Sequence, residues 1–334
     1  MSRPSNGLSL LDPRGVVLRG ERLRIDPDEI LAQRRGTSFA RRGDLLGTVI
    51  ERGSGAPLGI GAGTRLVVPL RLPCGKCRHC VLGAEHACAR LAERELPADA
   101  GTDRIALDAE RLAAAWAPPV EVADDDAVRL GIVADALAGF ESAGWAEPAG
   151  FARRADAVAV IDGGGAHGLT ALAVLRHLAP HWRTVVVASD EESRRIARAL
   201  GATRTVEPGR QLAKAVRELS QGLGAELVLA TDGDPRVVRD GVAFARPGGA
   251  TVLLAAGEPA ALAAIELRAF VRSGLRLLAC AGAARRHRDA AAGLLAARPE
   301  LLRDLPVWRL PGERAGRSAE LARTRPAAVP LFDF

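Results

Sequence analysis

From about residue 157 onward, short runs of continuously apolar residues alternate with longer stretches in which apolar positions recur every three or four. AVAVI leads through a glycine-rich turn into the helical stretch GLTALAVLRHL, and TVVVA leads into the helix-like EESRRIARALG. The alternation continues through QLAKAVRELSQ, ELVLA, PRVVRDGVAFARPGG, ATVLLAA and LRLLACAG. Strands that are apolar on both faces, separated by amphipathic helices, predict a parallel sheet covered on both sides. Residues 130–283 are therefore expected to form a doubly wound α/β domain.

The chain before this region is rich in Gly, Pro and Arg and carries short strand-like pieces: GVVLRG, LLGTVIERG and TRLVVPLRL. It predicts a small, irregular β domain. Beyond the sheet, RHRDAAAGLLAARPELLRD and AGRSAELARTR have helical periodicity, while PVWRL and AAVPLFDF read as strands that return to the first domain. The expected division is 1–129 with 284–334 in one domain and 130–283 in the other.

At 334 residues the chain is long enough for two cores. It has no uncharged apolar stretch of about 20 residues, and MSRPSNGLSLLDPRG lacks the apolar run of an export signal. A soluble, cytoplasmic protein with no membrane partner is the expectation. The formal charge of +6 rests on arginine, because Lys76 and Lys214 are the only lysines. These arginines are interspersed with acids, and aromatic residues make up only 3% of the chain, which argues against a nucleic-acid surface. A small anionic molecule or cofactor suits this charge better.

Cys74, Cys77, Cys80 and Cys88 stand in PCGKCRHCVLGAEHAC with two, two and seven residues between them. One short loop can wrap four such thiolates around a tetrahedral zinc with no open coordination position, so the ion would brace the loop spanning 74–88 and not react. Disulfide pairing is disfavoured by the crowding of four cysteines into one loop without a secretion signal. Cys280, in an apolar strand, reads as a buried structural residue.

Gly163, Gly165 and Gly168 form a GxGxxG turn between a strand and a helix, with Ala166 and His167 inside it. The first glycine allows the tight turn, the second lets the backbone approach a pyrophosphate, and the third allows close helix packing. The next strand ends in Ala188, Ser189 and Asp190, with Arg194 and Arg195 one turn into the following helix. Asp190 on the ribose diol would select NAD. Room beside Ala188 and Ser189, closed by an arginine, would select NADP, and the small residues tip the expectation to NADP. His167 is placed to touch phosphate or nicotinamide, although a histidine at a helix start is commonly just solvated.

These motifs, in this order, resemble the zinc-containing alcohol dehydrogenase-like, medium-chain dehydrogenase/reductase superfamily from about Leu45 to the C-terminus. LLGTVIERG, the cysteine loop, GGGAHG, IARALGA, ATDG and RPGGATVLLAAG carry the resemblance. It implies a GroES-like β domain built from both chain ends and a Rossmann domain inserted between them, with the cofactor in the cleft. It also implies Thr231 and Gly257 near the nicotinamide, and a homodimer or tetramer formed through the Rossmann sheets.

Relatives usually hold a second, catalytic zinc, and here the chain departs from them. The counterpart of Cys-Gly-Thr is Arg35, Gly36 and Thr37; that of Gly-His-Glu is Gly43, Asp44 and Leu45; Gly131 takes the later acidic position unless Asp135 replaces it. Three protein ligands are needed. Asp44 and Asp135 offer two, and Arg35 repels a cation, so a single structural zinc is expected.

The resulting expectation is an NAD(P)-dependent oxidoreductase acting on a small, anionic carbonyl, alcohol or conjugated substrate. Arg34, Arg35, Arg41 and Arg42 would clamp the anion, and Thr37 and Asp44 are the proton-transfer candidates. Each has a plainer reading: Thr37 caps a turn, and Asp44 pairs with Arg41 or Arg42. A non-catalytic nucleotide-binding relative or assembly partner, and a lyase or cyclase without net redox change, are the alternatives.

Overall fold

The computed structural model describes residues 16–25, 43–91, 105–145, 156–231, 244–254, 267–311 and 327–333. Thr37, Gly257, Arg34, Arg35, Arg41 and Arg42 lie outside them. The chain divides into two compact units. The first comprises Met1–Leu130, Trp308–Glu320 and Pro330–Phe334, and the second Gly131–Val307 and Leu321–Val329.

In chain order the elements begin with β1 (Val16–Ile25), β2 (Gly43–Arg52), β3 (Arg65–Pro69), α1 (Arg78–Val81), β4 (Ile105–Leu107), α2 (Ala109–Ala114), α3 (Asp124–Ala127) and α4 (Leu130–Ser142). There follow β5 (Val158–Asp162), α5 (Ala166–Leu178), β6 (Arg183–Val187), α6 (Glu191–Ala199), β7 (Arg204–Val206), α7 (Arg210–Leu219), β8 (Ala225–Ala230) and β9 (Ala245–Leu253). The last are α8 (Leu267–Arg272), β10 (Arg276–Ala279), α9 (Arg285–Ala297), β11 (Val307–Pro311) and β12 (Val329–Asp333). Among the described residues, no helix is long and apolar enough to cross a membrane.

The first sheet has the order β11-β12-β1-β2-β3, with β4 also paired to β1, so the strands expected at the chain's end do return to it. β1 runs antiparallel to β2, β4 and β12, and β2 antiparallel to β3. Arg65 fastens β3 to the segment leading into α4. It forms an ion pair with Asp124 and donates to the carbonyls of Pro119 at 2.7 Å and Val122 at 3.2 Å.

The second sheet has the order β10-β9-β8-β5-β6-β7, and its five strand pairs are all parallel. Every residue of β5 and β8 is buried, which is why these strands are apolar apart from Asp162 and Glu226. On one face Val158, Val160, Val185, Val187 and Val228 pack with Leu212 and Val216 of α7, and the alternate residues Ala159, Ile161 and Leu229 are equally buried. The chain order reverses between β5 and β8. A crevice for a ligand is expected beyond the carboxyl ends of strands at such a switch point.

The boundary expected at 283/284 is corrected by the structure, because α9 belongs to the second unit. Its first turn is bound there: Arg286 Nη2 donates to Glu141 Oε1 at 2.7 Å, and His287 Nε2 lies 2.7 Å from Glu141 Oε2. The neighbouring Ala283 N–H donates to Asp135 Oδ1 at 2.8 Å. His287 Nδ1 accepts from the Ala284 N–H, which leaves Nε2–H to donate to Glu141.

This anchor carries a pH signature. Arg286 first, and then His287, hold the Glu141 carboxyl below its ordinary 4.5. A carboxylate depressed in the folded state contributes stability above its unfolded pKa, and that contribution is lost as the pH falls through the folded one. Glu141→Gln should therefore lower the melting temperature at pH 7, and the difference from wild type should close as the pH drops below 4.5. An equal difference in melts at pH 7 and pH 3 would show that the ion pair is not the anchor.

Candidate metal centre and nucleotide cradle

The cysteine lobe is shaped by two glycines with positive φ, Gly75 at +70° and Gly83 at +79°, on either side of α1. Cys77 caps α1 and Cys80 lies one turn on, so the single helical turn brings both thiols to one side. Cys77 Sγ is 3.5 Å from Cys80 Sγ and 3.9 Å from Cys88 Sγ, and Cys74 Sγ is 4.0 Å from Cys80 Sγ. All four sulfurs lie within 4.8 Å of one another, and every cysteine is free of disulfides. Sulfurs tetrahedrally bound to zinc at about 2.3 Å stand about 3.8 Å apart, so this cluster has the size of the ion it would hold.

The electrostatics favour an ion as well. The backbone N–H of Cys80, then that of Ala89, lowers the Cys77 thiol to about 6, whereas burial pushes Cys80 up to about 12. The Cys74 thiol is lowered by the backbone N–H of Lys76. A divalent cation removes the mutual repulsion that keeps such neighbouring thiols from ionising together. Among the described residues, this is the one group of three or more such side chains close enough to share an ion.

In the second unit, β5 ends at Asp162 and the chain turns through Gly163, whose φ is +137°. The Gly163 N–H donates to Val187 O at 3.0 Å, and α5 starts at Ala166 with Gly165 as its cap. A Cβ on Gly168 would stand 2.0 Å from Gly163 O and 2.9 Å from Thr231 Oγ1. Thr231 is itself fixed, since its N–H and its hydroxyl donate to Asp162 O at 2.7 Å and 2.8 Å. The ends of β5 and β8 are thereby tied around the turn. The first amides of a thirteen-residue helix point away from it, which is the donor set a pyrophosphate needs.

Two features of this cradle escape a motif search. A Cβ on Gly164 would lie 2.6 Å from both Ala188 Cβ and Ser193 Cβ, so the middle glycine of the run lets the turn press against the tip of β6 and the start of α6. The unbroken GGG, where the motif requires only its outer two, was the one available signal. The second is the fate of Arg194. Its Nη1 donates to Ala188 O at 2.8 Å and Ser189 O at 3.0 Å, and its Nε to Glu191 Oε2 at 3.0 Å. Its Nη2 lies 2.9 Å from that same Glu191 oxygen and 3.0 Å from Glu207 Oε1. Glu207, from beyond β7, carried no sequence signal.

Asp190 Oδ1 accepts from the Ser193 N–H at 2.7 Å and so caps α6, and Ser189 is exposed beside it. His167, a candidate to touch phosphate or nicotinamide, is mostly enclosed and not simply solvated, with Nε2 3.9 Å from Asp135 Oδ2 and its side chain 15% exposed. Asp135 thus sits with the nucleotide turn and with Ala283 inside the second unit. Asp44 is fully buried in β2, in the first unit. Cys280 is buried, as expected.

A family model of zinc-binding dehydrogenases matches residues 167–297. Among curated proteins, L-threonine 3-dehydrogenase of Streptomyces coelicolor is 31% identical over 220 residues, covering 65% of this chain and 59% of that protein. Scyllo-inosose 3-dehydrogenase of Thermotoga maritima is 30% identical over 177 residues, covering 49% and 42%. The match therefore spans less than two thirds of either relative. Of the solved structures, a short-chain alcohol dehydrogenase from Escherichia coli in complex with NADH superposes with a TM-score of 0.77 at 19% identity, covering 98% of this chain and 94% of that one. At that identity the likeness is one of fold.

Proposed function

The chain belongs to the zinc-containing alcohol dehydrogenase-like, medium-chain dehydrogenase/reductase superfamily, and from that premise we propose that it is an NAD-dependent oxidoreductase interconverting a small, polar secondary alcohol and its ketone. The observation that carries this reading is the turn in which Gly168 abuts Gly163 O and Thr231 at the sheet's switch point. The names of the curated relatives, dehydrogenases of L-threonine and scyllo-inosose, favour a small hydroxylated substrate. NAD is preferred to the NADP suggested by Ala188 and Ser189, because Arg194 is already engaged and Asp190 keeps one carboxylate oxygen outside its cap for a ribose hydroxyl.

When bound, the nicotinamide would supply the hydride chemistry. The residues of this chain hold and orient it. The amides at the start of α5 meet the pyrophosphate, and Asp190 with Ser189 meets the adenosine ribose. The clamp between Thr231 and Asp162 O keeps the cradle's far wall rigid. One zinc, held by Cys74, Cys77, Cys80 and Cys88, braces the lobe. Thr37 remains our candidate for proton transfer. Asp44, wholly enclosed, is better suited to balancing a neighbouring charge than to meeting substrate. We also propose a cytoplasmic homo-oligomer assembled along β10, one of the two edge strands of the parallel sheet.

The test is a tryptophan-fluorescence titration with NADH and NADPH, followed by initial rates at 340 nm with L-threonine, inositols and linear polyols. Micromolar NADH binding and NADH formation with at least one of these alcohols are expected. If neither coenzyme binds below millimolar concentration, the reading is overturned.

A further inference from the structure

Two groups at the tip of β6 would ordinarily draw in the 2′-phosphate of NADP: a guanidinium one turn into the next helix, and that helix's own N-terminus. Both are met by carboxylates, the helix N-terminus at one of its amides. Asp190 takes the α6 N-terminal amide of Ser193 at 2.7 Å. Arg194 has every nitrogen engaged by Ala188 O, Ser189 O, Glu191 Oε2 and Glu207 Oε1, all within 3.0 Å, and its side chain is only 12% exposed. Nε and Nη1 are spent on hydrogen bonds and Nη2 is held between two carboxylates, so a phosphate oxygen would have to displace a carboxylate to reach the guanidinium.

The charge balance has the same sign. Asp190, Glu191, Glu192 and Glu207 contribute four negative charges, against three positive ones from Arg194, Arg195 and Arg198, the last paired with Glu191 and bonded to Thr205. A phosphomonoester carrying about −1.5 to −2 would enter a site that is already net negative.

Glu191 is shared between two arginines and lies on the same helix turn, so its contact with Arg194 is local. Glu207 comes from the adjacent strand's end and, among the described residues, holds only Arg194. We propose that Glu207 is a specificity-determining residue. By pinning Arg194 to the carbonyls of Ala188 and Ser189, it excludes NADP and reserves the site for NAD. The inference rests on the coenzyme reading given above and acts through Arg194, so Glu207 is a positioning residue that need not touch the nucleotide.

The experiment measures dissociation constants for NADH and NADPH with the full chain and with Glu207→Ala, Arg194→Ala and the double variant. Wild type is expected to prefer NADH. Glu207→Ala, at an exposed position, should tighten NADPH binding about tenfold by releasing charge-assisted donors, while leaving NADH within about twofold. The double variant should lose that gain, which a mere loosening of the fold would not predict. If wild type prefers NADH but Glu207→Ala leaves the ratio unchanged, Glu207 is not the determinant and the dehydrogenase reading stands. Preference of wild type for NADPH also overturns the proposal, and binding of neither coenzyme overturns it together with the reading beneath it.

Discussion

Gly168→Ala should abolish measurable NADH binding and destabilise the second unit. The added Cβ would stand 2.0 Å from Gly163 O, 2.9 Å from the Gly163 carbonyl carbon and 2.9 Å from Thr231 Oγ1. None of these is the end of a flexible side chain, because the first two are the turn itself and Thr231 is held twice by Asp162 O. The turn or the start of α5 must therefore move. Overpacking of this kind costs about 1–3 kcal/mol, and more where backbone cannot yield. The displaced amides are those proposed to face the pyrophosphate, so coenzyme affinity should fall by more than the stability alone would suggest. Gly293→Ala is the matched control. Gly293 lies in α9 with nothing within 4 Å of its would-be Cβ, and the same methyl there should stabilise by about 0.5–1 kcal/mol through helix propensity. Thermal melts and NADH titrations of both variants check the pair. A Gly168→Ala protein with wild-type melting temperature and NADH affinity would show that the close approach is not required.

The second large effect concerns the cysteine lobe. Cys80→Ser, or prolonged chelation of wild type, should reduce zinc from about one per chain to near zero and open the lobe around residues 74–88 to limited proteolysis. Structural zinc in isolated fingers supplies roughly 10–16 kcal/mol of apparent binding energy. Here the lobe has few other means of support: its core consists of Cys74, Cys80 and Cys88 with Cys77 and Leu91 packed against them. Loss of the ion should therefore melt it locally, at a cost on the order of several kcal/mol. NADH binding should survive better than the lobe does, because the nucleotide cradle belongs to the other unit. Cys280→Ser, at a buried cysteine away from this cluster, should leave the zinc content unchanged. Full zinc occupancy in purified Cys80→Ser protein would remove the metal assignment.

Much of this was legible along the chain because it depends on neighbours in sequence. β5 and β8 read as strands since burial on both faces leaves no polar position in AVAV or in LVLA. The four cysteines announced a shared ion because one helical turn and two glycines with positive φ suffice to gather them. Gly163 and Gly168 stood out because a left-handed turn and a 2.0 Å approach leave no alternative to glycine.

What only the tertiary structure decided depends on which distant segments meet. The apolar stripe of α9 suits either unit; its allegiance comes from Glu141 and Asp135 on α4, far away in sequence. Arg194 read as a free cation ready for a phosphate, until the pairing of β6 with β7 brought Glu207 within 3.0 Å of it. Periodicity and backbone sterics are properties of contiguous residues, and one chain displays them directly. The charge environment of a guanidinium is a sum over everything within a few ångströms, and that sum exists only once the sheet has set its strands side by side.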